Sequence, residues 1–224
     1  MRIAIFGGTF DPIHSGHVQA AKAAARKFCL NRILFVPTGH PPHKTSNGLT
    51  GYQHRYAMVA LACAEDPRFV PSLLESPDLH TGPHYSIDTV RRVRRMLKPD
   101  DSLYFLIGID AWLDLPHWKQ FRRLLGLADF IVVSRPGFEN HELEKVVPHD
   151  LRDERRPMTS ARQIHLRRTT LHILRDVEVP VASRDLRQAI QKKQSIAGLV
   201  PPQVEQYILK EGLYSSANHL RGGK

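Results

Sequence analysis

The sequence predicts an α/β fold in which a parallel β-sheet is covered by helices. Short apolar runs with β-branched residues alternate along the chain with amphipathic stretches of helical length, a pattern typical of such folds. The chain has 224 residues, enough for one domain or two small ones. Its 42% hydrophobic and 24% charged residues are ordinary globular usage. This composition excludes a disordered or collagen-like chain. No apolar stretch approaches the ~18 to 20 residues that a membrane-spanning helix needs, so the transmembrane class is excluded as well.

Strands are predicted where the short apolar runs lie. The first run, residues 2–6, leads directly into two glycines. The remaining predicted strands span residues 32–37, 69–73, 102–107 and 129–134. Helix-length stretches separate them, as parallel strands require.

Helices are predicted in the stretches between these strands, at residues 17–29, 52–65, 86–97 and 117–125. Ser86 stands where an N-cap of the third helix is expected, and Asp88 lies in its first turn. Pro99 follows the last residues of that helix and closes it.

The C-terminal part has a different pattern. Residues 138–170 are charged and predicted to be irregular, and the portion 151–170 is rich in arginine. Because that portion lacks aromatic residues for base stacking, we interpret it as a solvated helix or mobile segment rather than a nucleic-acid arm. A strand-like run at 171–179 then precedes predicted helices at 183–193 and 202–211.

These patterns predict three parts of the chain. Residues 1–180 form the main domain, 181–214 a small helical C-terminal subdomain, and 215–224 a flexible tail. Cys29 and Cys63 each lie in an apolar helical pattern and are interpreted as small core residues. Two cysteines and the absence of a signal-peptide hydrophobic region predict a cytoplasmic protein.

The chain is basic, with 32 Lys and Arg against 22 Asp and Glu, a net charge of +10. Such a charge favours an anionic partner, either a nucleic acid or a small phosphorylated ligand. A basic surface that is simply solvated explains the composition equally well. Composition alone does not decide among these three.

The segment IAIFGGTFDPIHSGH, residues 3–17, is the most informative. Gly7 and Gly8 end the first strand and allow a ligand to approach the backbone closely. The N-terminus of the following helix favours an anion, so a phosphate site is predicted. The segment is neither a P-loop, because GxxxxGK[ST] is absent, nor a GxGxxG dinucleotide fingerprint.

His14 and His17 are three residues apart and share one face if the helix begins near His14. As metal ligands they would need a third ligand, and Asp11 is the only carboxylate nearby. As phosphate ligands they need only donate N–H bonds to an anion. Both interpretations remain open at this point.

The motif GGTFDPIHSGH resembles the GxFDPxHxGH motif of the adenylyltransferases that make dinucleotide cofactors, which are members of the wider nucleotidylyltransferase superfamily marked by (T/H)xGH. Further blocks are similar, in order and spacing, to the bacterial nicotinate-nucleotide adenylyltransferases. They are PPHK (41–44), PHYSIDT (83–89), IGID with a downstream tryptophan (107–118), SRPG (134–137) and LVPPQVEQYILKEGLY (199–214). Blocks spread over nearly the whole chain are far more specific than a lone HxGH.

The resemblance implies a Rossmann-like doubly wound parallel sheet and a reaction. ATP and nicotinate mononucleotide (NaMN) would give nicotinate adenine dinucleotide and pyrophosphate, in the synthesis of NAD. The mononucleotide phosphate would attack the α-phosphorus in line, so alignment and charge neutralisation suffice. Mg²⁺ is expected as the cofactor, held mainly by ATP phosphates and water, with no dedicated protein metal site.

The resemblance also implies roles for individual residues. His14 and His17 are the expected catalytic residues. ATP is expected to contact Gly7, Gly8, Thr9, Phe10, Lys44, Gly108, Asp110, Ser183 and Arg187. The nicotinate mononucleotide is expected to contact Thr9, Tyr85, Ser86, Trp118 and Arg135.

Some of these assignments have alternatives. Lys44 is otherwise an exposed charge and Trp118 otherwise a core residue. In VASRDLR, residues 181–187, Ala182 and Arg184 depart from the family's Ser and Thr. Arg184 would replace a hydroxyl contact with a charge-assisted one or point to solvent.

Other functions compete with this one. Nicotinamide mononucleotide or another phosphorylated acceptor would use the same machinery. A nucleic-acid-binding module predicts salt-dependent binding that survives loss of His17, and an HxxH metallohydrolase predicts stoichiometric zinc. Neither of the last two accounts for the blocks, so ATP and NaMN are the expected partners, without nucleic acid or membrane. The oligomeric state is not readable from the sequence.

Overall fold

A computed structural model describes residues 1–41, 48–79, 82–134, 140–153, 155, 163–175, 177 and 181–215. Its strands form one seven-stranded sheet of order β3-β2-β1-β4-β5-β7-β6. The strands are β1 Arg2–Gly8, β2 Arg32–Pro37, β3 Phe69–Pro71, β4 Ser102–Gly108, β5 Asp129–Val133, β6 Gln163–His165 and β7 Thr170–Leu174. All neighbours are parallel except β6 and β7. The Rossmann-like α/β fold is therefore confirmed.

Helices connect the strands and cover both faces of the sheet. They are α1 Ser15–Lys27, α2 Tyr52–Cys63, α3 Ser86–Met96, α4 Ile109–Leu113, α5 Phe121–Leu124, α6 Asn140–Val146, α7 Ser183–Gln191 and α8 Pro202–Lys210. Within the described residues, none of these helices has both the length and the apolar character needed to cross a bilayer.

The core has two halves because successive side chains of a strand point to opposite faces. On β1, Phe6 packs into the cluster that contains the buried residues of α1, α2, α7 and α8. Its neighbour Ile5 packs into the second cluster, which contains those of α3, α4 and α6. The C-terminal helices α7 and α8 thus share a core with the first strands. The predicted boundary at residue 181 stays a prediction.

The predicted helix at 117–125 is wrong. A 3-10 turn, Leu115–His117, is followed by Trp118 in an extended conformation and by Gln120 at a left-handed φ of 54°. These two residues break the helical path, and only α5 is helical. The structure also adds α4, and Tyr85 rather than Ser86 is the residue at the N-cap of α3.

Residues 138–170, predicted to be irregular, contain regular secondary structure. They include α6 and a 3-10 turn at His149–Leu151. They also include β6, where the buried Ile164 pairs with Leu171 in the antiparallel edge of the sheet. The arginine-rich residues 156–162 lie outside the described residues, as do 216–224 of the predicted tail. Cys63 is in the core as expected, but Cys29 is exposed, because it follows the end of α1.

Candidate active site

The carboxyl ends of β1 and β4 lie side by side in the middle of the sheet. The chain runs from β1 to β2 on one side and from β4 to β5 on the other. Open α/β sheets bind ligands in the crevice that such a change of direction creates. Gly7 and Gly8 belong to β1, and Gly108 ends β4, so the predicted glycines all lie at this crevice.

A cavity of about 290 Å³ opens there. Seven of the residues predicted from the sequence line it: Gly7, Gly8, Thr9, Tyr85, Ser86, Gly108 and Trp118. Other residues of its wall were not predicted from the sequence: Thr38, Glu75, His84, Asp114 and Lys119. The cavity therefore brings together the side chains expected around a nicotinate ring with the end of β1.

Trp118 is a cavity residue rather than a core residue. It is partly exposed, and its indole N–H donates to Asp114 Oδ2 at 3.3 Å. Trp112 takes the core position instead, with 0% of its surface exposed and its indole N–H donating to the carbonyl of Leu143. One face of the cavity thus carries a partly exposed aromatic ring, whose other side packs against the core at Phe105.

Tyr85 and Ser86 stand at the N-terminus of α3, where no side chain caps the helix. The Nζ atom of Lys119 lies 4.0 Å from the centroid of the Tyr85 ring. Helix N-termini and lysine side chains both favour a negatively charged ligand. Lys119 follows Trp118 directly in the sequence, and that position is the signal that the sequence analysis overlooked.

Glu75 places a carboxyl group in the cavity wall. Thr89 Oγ1 donates to its Oε1 at 2.6 Å, and burial raises the pKa of Glu75. Gly39 packs directly against this segment, since a Cβ at Gly39 would lie 2.3 Å from the carbonyl oxygen of Glu75. The cavity wall therefore contains a buried carboxyl group that holds its proton more tightly than usual.

His14 and His17 stand at the N-terminus of α1, with ring centroids 3.7 Å apart. The backbone N–H of His14 donates to His17 Nδ1 at 3.3 Å. Since that nitrogen accepts, the proton of the neutral His17 ring is on Nε2. Burial and then the neighbouring His14 lower the pKa of His17 well below 6.5. In its neutral form, His17 therefore presents an Nε2–H donor.

The histidine pair and the cavity lie on opposite sides of the Gly7–Thr9 segment, at the carboxyl end of β1. His17 packs against Phe6 and Phe10, whose rings belong to the α1 side of the core. The cavity is lined by Ile5 and Phe105 of the other side. Gly7, Gly8 and Thr9 therefore lie between the cavity and the histidine pair, and their role as a floor between two nucleotides stays a prediction. Phe10 contributes a buried side chain and a backbone at φ 48°.

Ser183 and Arg187 of α7 contact the same segment. Ser183 Oγ donates to the carbonyl of Pro12 at 2.9 Å, and Arg187 Nη1 donates to that of Asp11 at 2.5 Å. Asp110 is exposed in the first turn of α4 and is not part of the cavity lining. Lys44 and Arg135 fall outside the described residues.

The metal-ligand interpretation of His14 and His17 finds no third ligand. Over the described ranges, no three His, Cys, Asp or Glu side chains come together in a way that could hold a metal ion. Asp11, the carboxylate considered for that role, accepts a hydrogen bond from the hydroxyl of Tyr214 instead.

Comparison with known proteins gives matches over nearly the whole chain. A family model described as cytidylyltransferase-like matches residues 5–189. A probable nicotinate-nucleotide adenylyltransferase of Solibacter usitatus is 39% identical over 215 residues, 96% of this chain and 100% of the relative. A protein of the same description from Thermus thermophilus is 40% identical over 215 residues, with the same coverage of both chains.

Solved structures agree on the fold. The Plasmodium falciparum nicotinic acid mononucleotide adenylyltransferase, complexed with NaAD, matches with a TM-score of 0.72 and 20% identity. The match covers 95% of this chain and 97% of that chain. A putative nicotinate-nucleotide adenylyltransferase from Vibrio parahaemolyticus matches with a TM-score of 0.61 and 18% identity, over 95% of this chain and 94% of that one.

Proposed function

This chain belongs to the nicotinate-nucleotide adenylyltransferases, and from that premise we propose that it transfers the adenylyl group of ATP to nicotinate mononucleotide. The products are nicotinate adenine dinucleotide and pyrophosphate, and the reaction is a step in NAD biosynthesis. One observation carries the proposal: the aromatic cavity and the histidine pair lie on opposite sides of the Gly7–Thr9 segment. Two nucleotides bound on these sides would bring their phosphates together over the glycines.

The acceptor would occupy the cavity. Trp118 would stack on the nicotinate ring, and Ser86 with the N-terminus of α3 would accept its carboxylate. Lys119 would add a positive charge at the same end, and Arg135 would contact the mononucleotide phosphate. Nicotinamide mononucleotide would gain less from this cationic end, because its amide carries no charge.

The donor would bind on the other side. His17 would donate from Nε2 to the α-phosphate, and His14 would contact the phosphates beside it. The ionised phosphate of the acceptor would attack the α-phosphorus in line, which requires neither a general base nor a covalent intermediate. We further propose that Lys44, Gly108, Asp110, Ser183 and Arg187 contribute to the ATP site.

Mg²⁺ would be bound mainly by the triphosphate of ATP and by water, rather than by protein side chains. The described residues offer no carboxylate cage, and Mg²⁺ commonly keeps waters and substrate phosphates as its ligands. The ion would neutralise phosphate charge when bound. We also propose a cytoplasmic location, which the chain's two cysteines, both free, support.

Turnover of defined substrates tests the proposal. Pyrophosphate and dinucleotide are measured with ATP, Mg²⁺ and either nicotinate or nicotinamide mononucleotide. We expect nicotinate mononucleotide to be preferred, and His17→Ala to reduce kcat by about 10²- to 10³-fold, the usual loss for one donor to a developing charge. His149→Ala, at an exposed histidine outside the cavity lining, is the control and should retain full activity.

The other outcomes are equally informative. Preference for nicotinamide mononucleotide would overturn the acceptor assignment while keeping the chemistry. Absence of turnover with either substrate, from folded protein, would refute adenylyl transfer to a pyridine mononucleotide.

A further inference from the structure

A buried carboxylate lies in the turn between β1 and α1. The side chain of Asp11 is only 3% exposed. Its Oδ1 accepts a hydrogen bond from the hydroxyl of Tyr214 at 2.7 Å, and its Oδ2 accepts one from the backbone N–H of Thr50 at 3.4 Å. A carboxylate this deeply buried is stable only with such donors, so the orientation of Asp11 depends on Tyr214.

Arg55 of α2 supplies the counter-charge. It is 2% exposed, and its Nη1 and Nε donate to the carbonyls of Thr9 and Thr50 at 2.8 and 2.9 Å. Burial lowers the pKa of Arg55, and the charge of the nearby Asp11 opposes that effect. The guanidinium therefore holds both segments that approach Asp11, and a single buried charge cluster fixes the start of the turn.

Tyr214 reaches this cluster from far along the chain. It lies in the turn after α8, and its backbone has a left-handed φ of 63°, which residues other than glycine seldom adopt. Burial and then the charge of Asp11 raise the pKa of Tyr214, so its hydroxyl keeps the proton that it donates. This backbone conformation places the hydroxyl within hydrogen-bond distance of the buried carboxylate.

The same turn leads directly to the histidines. His14 follows Asp11 by three residues, and its backbone N–H orients the ring of His17. The carbonyls of Asp11 and Pro12 accept from Arg187 and Ser183, so residues beyond 180 contact this turn at three points. Of these three contacts, only that of Tyr214 is made to a charged group.

We infer that Tyr214 is a positioning residue for adenylyl transfer, which holds the His14 and His17 pair in place by donating a hydrogen bond to Asp11. The inference rests on the proposed function. Tyr214 would touch neither substrate, and its effect would reach the reacting atoms through Asp11 and the turn. Removing the hydroxyl would then reduce kcat more than it changes substrate binding.

Two tyrosines of the same region give a matched test. Tyr214→Phe removes the hydroxyl that contacts Asp11. Tyr207→Phe removes a hydroxyl on α8 that lies 2.9 Å from His54 Nδ1, away from the turn. We expect Tyr214→Phe to reduce kcat by about tenfold or more with KM for both substrates within about twofold. Tyr207→Phe should leave kcat unchanged, and the melting temperatures of both variants are recorded alongside.

Equal kcat values for the two variants, or losses that simply follow their melting temperatures, would overturn the inference. A double-mutant cycle with Asp11→Asn then tests the route. If Tyr214 acts through Asp11, the double variant will be no slower than Asp11→Asn alone, whereas multiplied losses would refute that route. If Asp11→Asn does not fold, the tyrosine pair still decides. Failure of the wild type to form any dinucleotide would count against the proposed function instead.

Discussion

At the scale of single residues, burial separates side chains that look alike in the sequence. The chain has two tryptophans, six residues apart, and either was compatible with a core position. The structure buries Trp112 completely and leaves Trp118 partly exposed in the cavity wall. The sequence shows which residue types can serve in a binding site, but it does not show which of two such residues is buried in the core.

The two tryptophans are expected to respond differently to truncation. Trp112→Ala removes a fully buried ring and should lower the free energy of unfolding by about 3–5 kcal/mol in urea denaturation. Trp118→Ala should change stability little but raise KM for nicotinate mononucleotide roughly two- to tenfold, the equivalent of one stacking contact. Trp118→Phe keeps a stacking ring and is the control. Unchanged KM in Trp118→Ala would contradict the assigned ring site.

Glu75 gives a prediction about pH and stability. Its folded-state pKa is raised above the ordinary 4.5 by burial, so the folded protein binds this proton more tightly than the unfolded chain. The wild type should therefore lose stability as the pH rises from 4.5 through the raised pKa. Glu75→Gln removes this loss, so its stability relative to the wild type should increase over that window and then level off.

Urea denaturation at a series of pH values measures this difference. Thr89→Val is the companion variant, because Thr89 lowers the pKa of Glu75 by donating to it. The loss of stability should extend to higher pH in that variant. A difference between Glu75→Gln and the wild type that does not vary with pH would contradict the predicted titration.

At the scale of elements, the strands were the best predicted part. Buried strands show as continuous apolar runs, and β2 has the predicted bounds, while β1 and β4 only extend further into their glycines. The helix prediction at 117–125 was wrong because Trp118 and Gln120 adopt non-helical conformations that the local sequence pattern does not predict. The turn of Asp11 was equally hidden, because its partners Tyr214 and Arg55 come from distant elements.

Gly39 tests how tightly the segment that carries Glu75 packs. Gly39→Ala should cost about 1–3 kcal/mol of stability, the usual cost of overpacking, because the added Cβ meets the carbonyl of Glu75 at 2.3 Å. Gly51→Ala is the matched control, since its Cβ would meet no atom closer than 3.7 Å. It should stay within about 0.5 kcal/mol of the wild type in the same denaturation experiment. Equal stabilities of the two variants would refute the close packing.

At the scale of the whole molecule, the sheet determines where function is possible. Its two faces are covered by different helices, and the crevice forms where β1 and β4 meet. Fold class and the position of the site followed from the sequence, because the glycines mark strand ends that any parallel sheet brings to one edge. Part of the cavity wall did not, since Glu75, Asp114 and Lys119 join it only through tertiary packing.

The net charge of +10 gives a prediction for the whole surface. Both proposed substrates are anions, and salt shortens the reach of the attraction from ~10 Å at ~0.1 M to ~3 Å at ~1 M. Raising sodium chloride over that range should increase KM for ATP and for nicotinate mononucleotide several-fold. The melting temperature, measured in parallel, monitors any effect on folding. A KM that does not respond to salt would show that the surface charge has no part in substrate capture.

The contact between Tyr214 and Asp11 joins residues 203 positions apart. A ribosome adding ~5–20 residues per second needs roughly 10–40 s to cover that distance, so β1 and its turn are synthesised long before their last partner. During that interval, the emerging polypeptide carries its signature histidines without the hydroxyl that holds them in position. On this proposal the histidines reach their final position only after Tyr214 has been synthesised, and a chain terminated before that residue would bind its nucleotides but turn them over slowly.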